Sequence, residues 1–155
     1  MSNRLRIEAP ASGHLTAEVR VWVDGEDLVA GTTGPGGVGG YAPFLLPATG
    51  EGPLRAGTEA RRVDLGEPEC TGGCRGHLTA SVRRHDGLVV RADRETPGDE
   101  PRPPDLHFDA ARYDAELARA TADRRRDVPR RPDRAGARKS RRAPMSSRGG
   151  GRRSL

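Results

Sequence analysis

The chain has 155 residues, of which 33% are apolar and 3% aromatic, and it contains 21 glycines and 13 prolines; an average globular domain carries more core-forming material. The formal net charge of +5 is unevenly divided, because residues 121–155 hold 13 basic and 3 acidic side chains whereas residues 1–120 hold 14 and 19. This division excludes a uniformly basic nucleic-acid-binding domain, and the lack of an apolar run of about 18 residues leaves no candidate for a transmembrane helix.

Residues 1–14 are predicted to form an N-terminal extension. They contain no apolar h-region, so we expect no signal peptide. Two cysteines in a chain without a secretion signal predict reduced thiols, a cytoplasmic location and no membrane partner.

The first predicted element is a strand. Apolar and polar residues alternate from Leu15 to Val23, which is typical of a strand with one buried face. The turn dipeptide Asp24-Gly25 follows, and it predicts a hairpin in which Val21 lies opposite Leu28.

Residues 31–57 contain nine glycines and four prolines, and we predict a mobile loop there, inside a β-rich domain that spans residues 15–96. Residues 34–39 match G-x-G-x-x-G, a pattern that holds a dinucleotide phosphate only where a helix begins directly after it. Pro43 and Pro47 oppose a regular helix, so we expect no nucleotide cofactor. The side chains expected to attach this loop to the sheet are Tyr41, Phe44, Leu45 and Leu46.

A short strand over residues 58–65 and a hairpin after it complete the predicted sheet. A two-residue turn at Asp86-Gly87 would set Val82 opposite Arg91 and would mix polar with apolar side chains on one face. We therefore predict a three-residue loop that begins at His85, because it sets Val82 opposite Val90 and keeps the buried face apolar.

A linker is predicted over residues 97–108 and a helix over 109–126. Asp109 is a suitable N-cap, and Phe108 is placed to pack against Tyr113 as a hydrophobic staple. Arg112 and Glu116 have the spacing of an i,i+4 ion pair. The predicted core consists of Val19, Val21, Val23, Leu28, Leu78, Val82, Val90, Phe108, Tyr113 and Leu117.

Cys70, Cys74 and His77 are three metal-binding side chains close together in the sequence, and His107 is the candidate for the fourth ligand of a zinc site. His85 is excluded, because the hairpin places it about 25 Å from His77. A reversible disulfide is an alternative, since the two glycines between the cysteines allow a tight turn. The third interpretation, which we favour, is structural: the thiols flank a turn that enters a strand. We therefore predict no metal and no other cofactor.

No catalytic group of residues is apparent. Ser81 shares a strand face with His77 and His85, but each histidine lies about 13 Å away, too far for a nucleophile–base hydrogen bond. We therefore predict that the protein is not an enzyme. Helix capping and a solvated helix face account for the acidic residues Asp105, Asp109, Asp114 and Glu116.

Residues 127–155 are predicted to be disordered, because they hold too few large apolar side chains to form a core. A flexible cationic segment binds nucleic acid non-specifically, with a steep dependence on salt. No aromatic residue interleaves with the basic ones, so the segment offers no platform for base stacking. The candidate nucleic-acid contacts are Arg130, Arg131, Arg138, Lys139, Arg141 and Arg142.

The stretches "ECTGGCRGHLTASVRRHDGLVV" and "PDLHFDAARYDAELARA" resemble a group of small uncharacterised actinobacterial (Streptomyces-type) proteins, which combine a Cys/Gly-rich turn, a hairpin and an F-D-A-x-x-Y-D-A-E-L helix start. The resemblance covers about residues 15–30 and 60–122, and Arg75 departs from it where a cysteine or a small residue is expected. It implies no activity and no catalytic residue. It does imply a Trp-bearing helical continuation, so we interpret the sequence after about residue 125 as a frameshifted or replaced C-terminus.

The sequence as a whole predicts an α+β fold: a small antiparallel sheet of four to six strands with hairpins, one C-terminal helix and a disordered arginine-rich tail. The leading functional hypothesis is a non-catalytic cytoplasmic interaction module with an unidentified protein partner. The alternatives are weak, non-specific nucleic-acid binding through the tail, and a redox or metal response of Cys70 and Cys74.

Overall fold

The protein has an α+β fold in which an antiparallel sheet packs against a C-terminal helix, as predicted. The computed structural model describes residues 1–10, 17–34, 36–69, 77–95 and 103–127. Within these ranges the elements are β1 (Leu5–Glu8), β2 (Glu18–Val23), β3 (Glu26–Asp27), α1 (Leu28–Thr33), β4 (Val38–Tyr41), α2 (Ala42–Leu45), β5 (Arg61–Glu67), β6 (Leu78–His85), β7 (Leu88–Glu95), β8 (Leu106–Asp109) and α3 (Ala110–Asp127).

The sheet curls until its two terminal strands meet. The strand order is β1-β2-β4-β5-β6-β7-β8, and β3 extends β2. At the meeting point the backbone N–H of Asn3 donates to the carbonyl oxygen of His107 at 2.6 Å, and the N–H of His107 donates to Asn3 Oδ1 at 3.0 Å. The backbone groups that are paired at this point are not available to the strands of other chains.

Helix α3 covers the next part of the β1 edge. The N–H of Ile7 donates to Glu116 Oε1 at 2.7 Å, and the carbonyl oxygen of Ile7 accepts from Arg119 Nη2 at 2.6 Å. Arg119 also donates to Glu116 at 2.6 and 2.8 Å. Glu116 is therefore paired with Arg119 rather than with Arg112, the partner that its helical spacing predicted, and both Glu116 and Arg119 bond to Ile7 at the β1 edge.

The contacts of Glu116 make the stability of the fold sensitive to acid. Burial acts to raise the pKa of Glu116, but hydrogen bonds from Arg119 and from the N–H of Ile7, with the charge of Arg119, hold it below its usual 4.5. A carboxylate whose pKa is lower in the folded state stabilises the protein above the unfolded pKa, and this contribution disappears as pH falls through the folded pKa.

We therefore expect Glu116→Gln to unfold at a lower urea concentration than the wild-type protein at pH 7, and we expect the difference to shrink between pH 4.5 and pH 3. Urea titrations at pH 7, 4.5 and 3 measure this. Glu59→Gln is the control, because Glu59 is exposed, and it should change stability little at any of the three pH values. A Glu116→Gln deficit that is the same at pH 7 and pH 3 would contradict the prediction.

The start of α3 is built as the sequence predicted. Asp109 Oδ1 accepts from the N–H of Arg112 at 2.9 Å, which is the N-cap bond. The rings of Phe108 and Tyr113 have centroids 5.8 Å apart, which is the hydrophobic staple. Together these contacts fix where the chain leaves β8 and becomes helical.

The first hairpin also has the predicted register, with Trp22 opposite Asp27. Its turn residues Asp24 and Gly25 both have positive φ, at 54° and 89°, as a two-residue turn of type I′ requires. The return arm, β3, is only two residues long, because α1 begins directly after it. Asp27 caps this helix: its Oδ1 accepts from the N–H groups of Val29 and Ala30 at 2.9 and 3.0 Å.

The predicted register of the second hairpin is wrong. His85 pairs with Leu88, and Val82 lies opposite Arg91 rather than Val90. Asp86 and Gly87 have φ values of 45° and 74°, so they form a two-residue type I′ turn, whose twist matches that of the flanking strands. This turn places Arg91, instead of Val90, opposite Val82, and the side chain of Arg91 is fully buried.

The core includes most of the residues that the sequence indicated. Leu28 and Leu117 are partly buried against it, and the side chain of Val90 lies outside the described part of the structure. The predicted core residues that are buried are Val19, Val21, Val23, Leu78, Val82, Phe108 and Tyr113. Leu45 and Leu46, which were expected to attach their segment to the sheet, are also buried. Other large buried side chains, which were not predicted, are Ile7, Val29, Leu54, Val63, Leu65 and Val89.

Three segments hold more regular structure than the sequence predicted. The expected extension at 1–14 contains β1, and the expected linker at 97–108 contains most of β8. The expected loop at 31–57 contains the end of α1 together with β4 and α2. Across the described ranges, no helix combines the length and the apolar character needed to cross a membrane.

Candidate functional site

The two candidate metal ligands that the structure describes, His77 and His107, do not come together. His77 is exposed beside Glu67, with its Nδ1 3.6 Å from Oε2. His107 aligns across β7 with Arg83, which is six residues along from His77, or about 20 Å at the rise of a strand. His107 therefore cannot complete a site with His77. Among the described residues no group of three or more His, Cys, Asp or Glu side chains could hold a metal ion.

The other predicted site residues lie outside the described residues. These are Cys70, Cys74 and the candidate nucleic-acid contacts Arg130, Arg131, Arg138, Lys139, Arg141 and Arg142.

The acidic residues around the start of α3 have structural partners. Asp109 caps the helix, and Asp114 accepts two hydrogen bonds from Arg84 Nη2, at 2.6 and 2.7 Å. Glu116 binds the backbone of β1. Each of these carboxylates is held by a donor, so they do not form a free acid–base pair.

The feature most suited to recognition is a groove of about 310 Å³ over the junction of β2, β4 and β5, which we call the β4 groove. Glycine residues form the bottom of this groove. A Cβ on Gly39 would overlap the backbone oxygen of Val19, and one on Gly66 would lie 2.7 Å from the backbone oxygen of Val38. The three strands therefore approach more closely than side chains permit, and their surface is left concave.

Large apolar side chains are exposed in and beside this groove. Val38 and Tyr41 line it, and Phe44 follows them in α2. Val38 is 44% exposed, Tyr41 56% and Phe44 62%, although Leu45 and Leu46 beside them are buried. The prediction that this segment attaches to the sheet is thus confirmed for the two leucines and wrong for the two aromatic residues. Exposed apolar side chains grouped in this way are typical of interaction surfaces.

Carboxylates give the β4 groove its charge. Glu18, Asp64 and Glu67 line it together with His77. Glu18 Oε2 accepts from the N–H of Gly39 at 2.7 Å, and its Oε1 is 3.3 Å from Arg20 Nε. Asp64 and Glu67 are exposed and have no arginine partner among the described residues. The groove therefore combines apolar side chains with an excess of negative charge.

The sequence contained signals for this site, but they were assigned to other roles. Residues 34–39, which match a phosphate-binding pattern, lead into β4 rather than to a helix N-terminus. Helix α2 is a single turn, and Pro43 is its second residue. Neither alternation nor composition distinguishes an exposed aromatic from a buried one in such a segment. No known protein family, curated protein or solved structure matches the chain.

Proposed function

We propose that the protein is a non-catalytic, cytoplasmic interaction module that binds a positively charged polypeptide segment in the β4 groove. The observation that carries this proposal is the exposure of Val38 and Tyr41 beside three carboxylates in the groove, with Phe44 also exposed in the helix that follows. The location in the cytoplasm rests on the sequence alone.

The apolar side chains would supply most of the binding energy. An aromatic side chain covers about 150–250 Å² when it is buried, and removing apolar surface from water contributes about 25 cal/mol per Å². Covering Tyr41 and Phe44 therefore offers several kcal/mol, from which the costs of association are subtracted.

The carboxylates would select the partner. Negative side chains around an apolar patch attract a cationic segment and repel an acidic one. The segment that fits has Lys or Arg residues facing Glu67 and Asp64, and one large apolar side chain for the groove between Val38 and Tyr41.

We expect the double variant Tyr41→Ser/Phe44→Ser to bind its partner at least tenfold more weakly than the wild-type protein does. The partner is first captured from the native host, and the interacting segment is then made as a peptide and titrated against purified protein by calorimetry. Wild-type affinity should fall when NaCl is raised from about 50 to 300 mM, because the attraction is partly electrostatic.

Leu88→Ser is the matched control, since it also removes an exposed apolar side chain. Leu88 lies on the β6–β7 hairpin and does not line the β4 groove. The affinity of this variant should equal that of the wild-type protein. Deletion of residues 128–155 should also leave binding intact, because the described residues that line the β4 groove all precede that segment. Unchanged affinity of the double variant, or a captured segment that is acidic, would refute the proposal.

A further inference from the structure

A second cavity lies where the two ends of the sheet stop pairing. Strand β1 joins β8 through Asn3 and joins α3 through Ile7, and Leu5 stands between these two contacts. The cavity here has a volume of about 420 Å³, which is within the usual range for sites that bind small ligands. It lies far along the sheet from the β4 groove and shares no lining residue with it.

An aromatic pair forms one wall of this cavity, and a buried cation lies against that pair. Phe108 and Tyr113 both line the cavity. The guanidinium carbon of Arg91 is 5.6 Å from the ring centroid of Phe108 and 5.5 Å from that of Tyr113. Both distances are within the range of cation–π attraction.

The positive charge of Arg91 has no counter-ion among the described residues. Its Nη2 donates to the hydroxyl of Tyr113 at 3.2 Å, but its buried Nε and Nη1 have no hydrogen-bond partner in the described structure. A buried charge in this state is costly, and its field is weakly screened because the side chain is shielded from solvent. The aromatic wall therefore carries positive potential into the cavity.

Further cations stand at the cavity opening. Arg4 and Arg112 both line it, and neither side chain forms an ion pair with a described residue. Glu116 is the sole acid among the described lining residues, and its charge is compensated by Arg119.

A backbone donor faces the same space. Ile7 directs its N–H away from β2 and toward α3. Because backbone groups alternate in direction along a strand, Leu5, two residues earlier, directs its N–H toward the cavity that it lines.

From these observations we infer that the cavity between β1 and α3 binds a small organic anion, whose carboxylate or phosphate group lies near Arg4, Arg112 and the N–H of Leu5. The apolar part of the ligand packs against Leu5, which is partly buried and lines the cavity above the buried rings of Phe108 and Tyr113. A carboxylate and a phosphate ester share this chemistry, since both accept several charge-assisted hydrogen bonds from arginine.

Three probes with the same ring and different charge test the inference. Benzoate and phenyl phosphate should each raise the melting temperature of the full-length protein, and benzamidine should not, when NaCl keeps the ionic strength constant. The anion with the lower dissociation constant in calorimetry identifies the preferred head group. Equal effects of benzoate and benzamidine, or no binding of either anion below about 50 mM, would overturn the inference.

The location of the site is tested with two charge-matched double variants. Arg4→Gln/Arg112→Gln should weaken binding of the preferred anion at least tenfold. Arg55→Gln/Arg83→Gln removes the same charge from exposed positions outside the cavity and should leave the dissociation constant unchanged. Urea unfolding confirms that both variants are folded. If the first variant retains wild-type affinity, the anion binds to other arginines and the inference fails.

Discussion

Replacement of Gly39 by alanine is expected to destabilise the protein by about 3 kcal/mol, at the upper end of what overpacking costs. The new Cβ would overlap the backbone oxygen of Val19, which is part of β2. Backbone cannot rotate away as a long side chain can, so β4 must shift from β2. The pairing of β4 with β2 is short, with Val19 opposite Gly40 and Glu18 opposite Tyr41. Such a shift would therefore disrupt most of the hydrogen bonds between these two strands.

The matched control is Gly31→Ala. Gly31 lies in α1, and nothing stands within 4 Å of the position that its Cβ would occupy. Alanine is a better helix former than glycine, so this variant should be more stable than the wild-type protein by about 0.5–1 kcal/mol. Urea denaturation of both variants measures the difference. A Gly39→Ala variant as stable as Gly31→Ala would show that β4 does not approach β2 as described.

Replacement of Arg91 by methionine is expected to raise stability by about 2 kcal/mol, within the range seen when buried charges give way to apolar residues. Methionine fills similar space without a charge, and it removes the two buried N–H-bearing atoms that have no partner among the described residues. The loss of the bond to Tyr113 and of two cation–π contacts offsets part of the gain.

Arg84→Met is the comparison, since Arg84 is on the same hairpin but is paired with Asp114 and partly exposed. Loss of that pair should lower stability by less than about 1 kcal/mol. Chemical denaturation in a buffer free of organic anions measures both variants. A loss of more than about 1 kcal/mol in Arg91→Met would show that its ring contacts outweigh the cost of burying its charge.

Local patterns in the sequence located several elements correctly. Alternation found β2 and the outgoing arm of the second hairpin, because a half-buried strand needs apolar residues at every second position. The strand predicted over residues 58–65 overlaps β5, which spans Arg61–Glu67. The start of α3 was found because the cap and the staple involve residues within six positions of each other. The turn at Asp24-Gly25 set its register for the same reason.

Strands β1 and β8 were missed because their pairing is not local. Each has four residues, too few for alternation to be distinctive, and they meet through Asn3 and His107, which are 104 positions apart. The hydrogen bond from the N–H of Ile7 to Glu116 joins residues that are 109 positions apart. Segments with such distant partners look like an extension or a linker when they are read alone.

The candidate sites were missed for a related reason. Arg91 was expected on the polar face of its strand. The turn at Asp86-Gly87 instead places its side chain in the core, where it forms cation–π contacts with Phe108 and Tyr113. Tyr41, Phe44, Leu45 and Leu46 were all expected to attach their segment to the sheet, yet only the two leucines are buried and both aromatic side chains are exposed.

By itself, the sequence determined the α+β class, the alternating strands, the first hairpin and the capped C-terminal helix, since neighbouring residues supply the energy for each. The tertiary structure alone decided the meeting of β1 with β8, the register that buries Arg91, and the exposure of the aromatic residues beside the β4 groove. These depend on contacts between distant segments, whose free energies are compared only when the whole chain has folded.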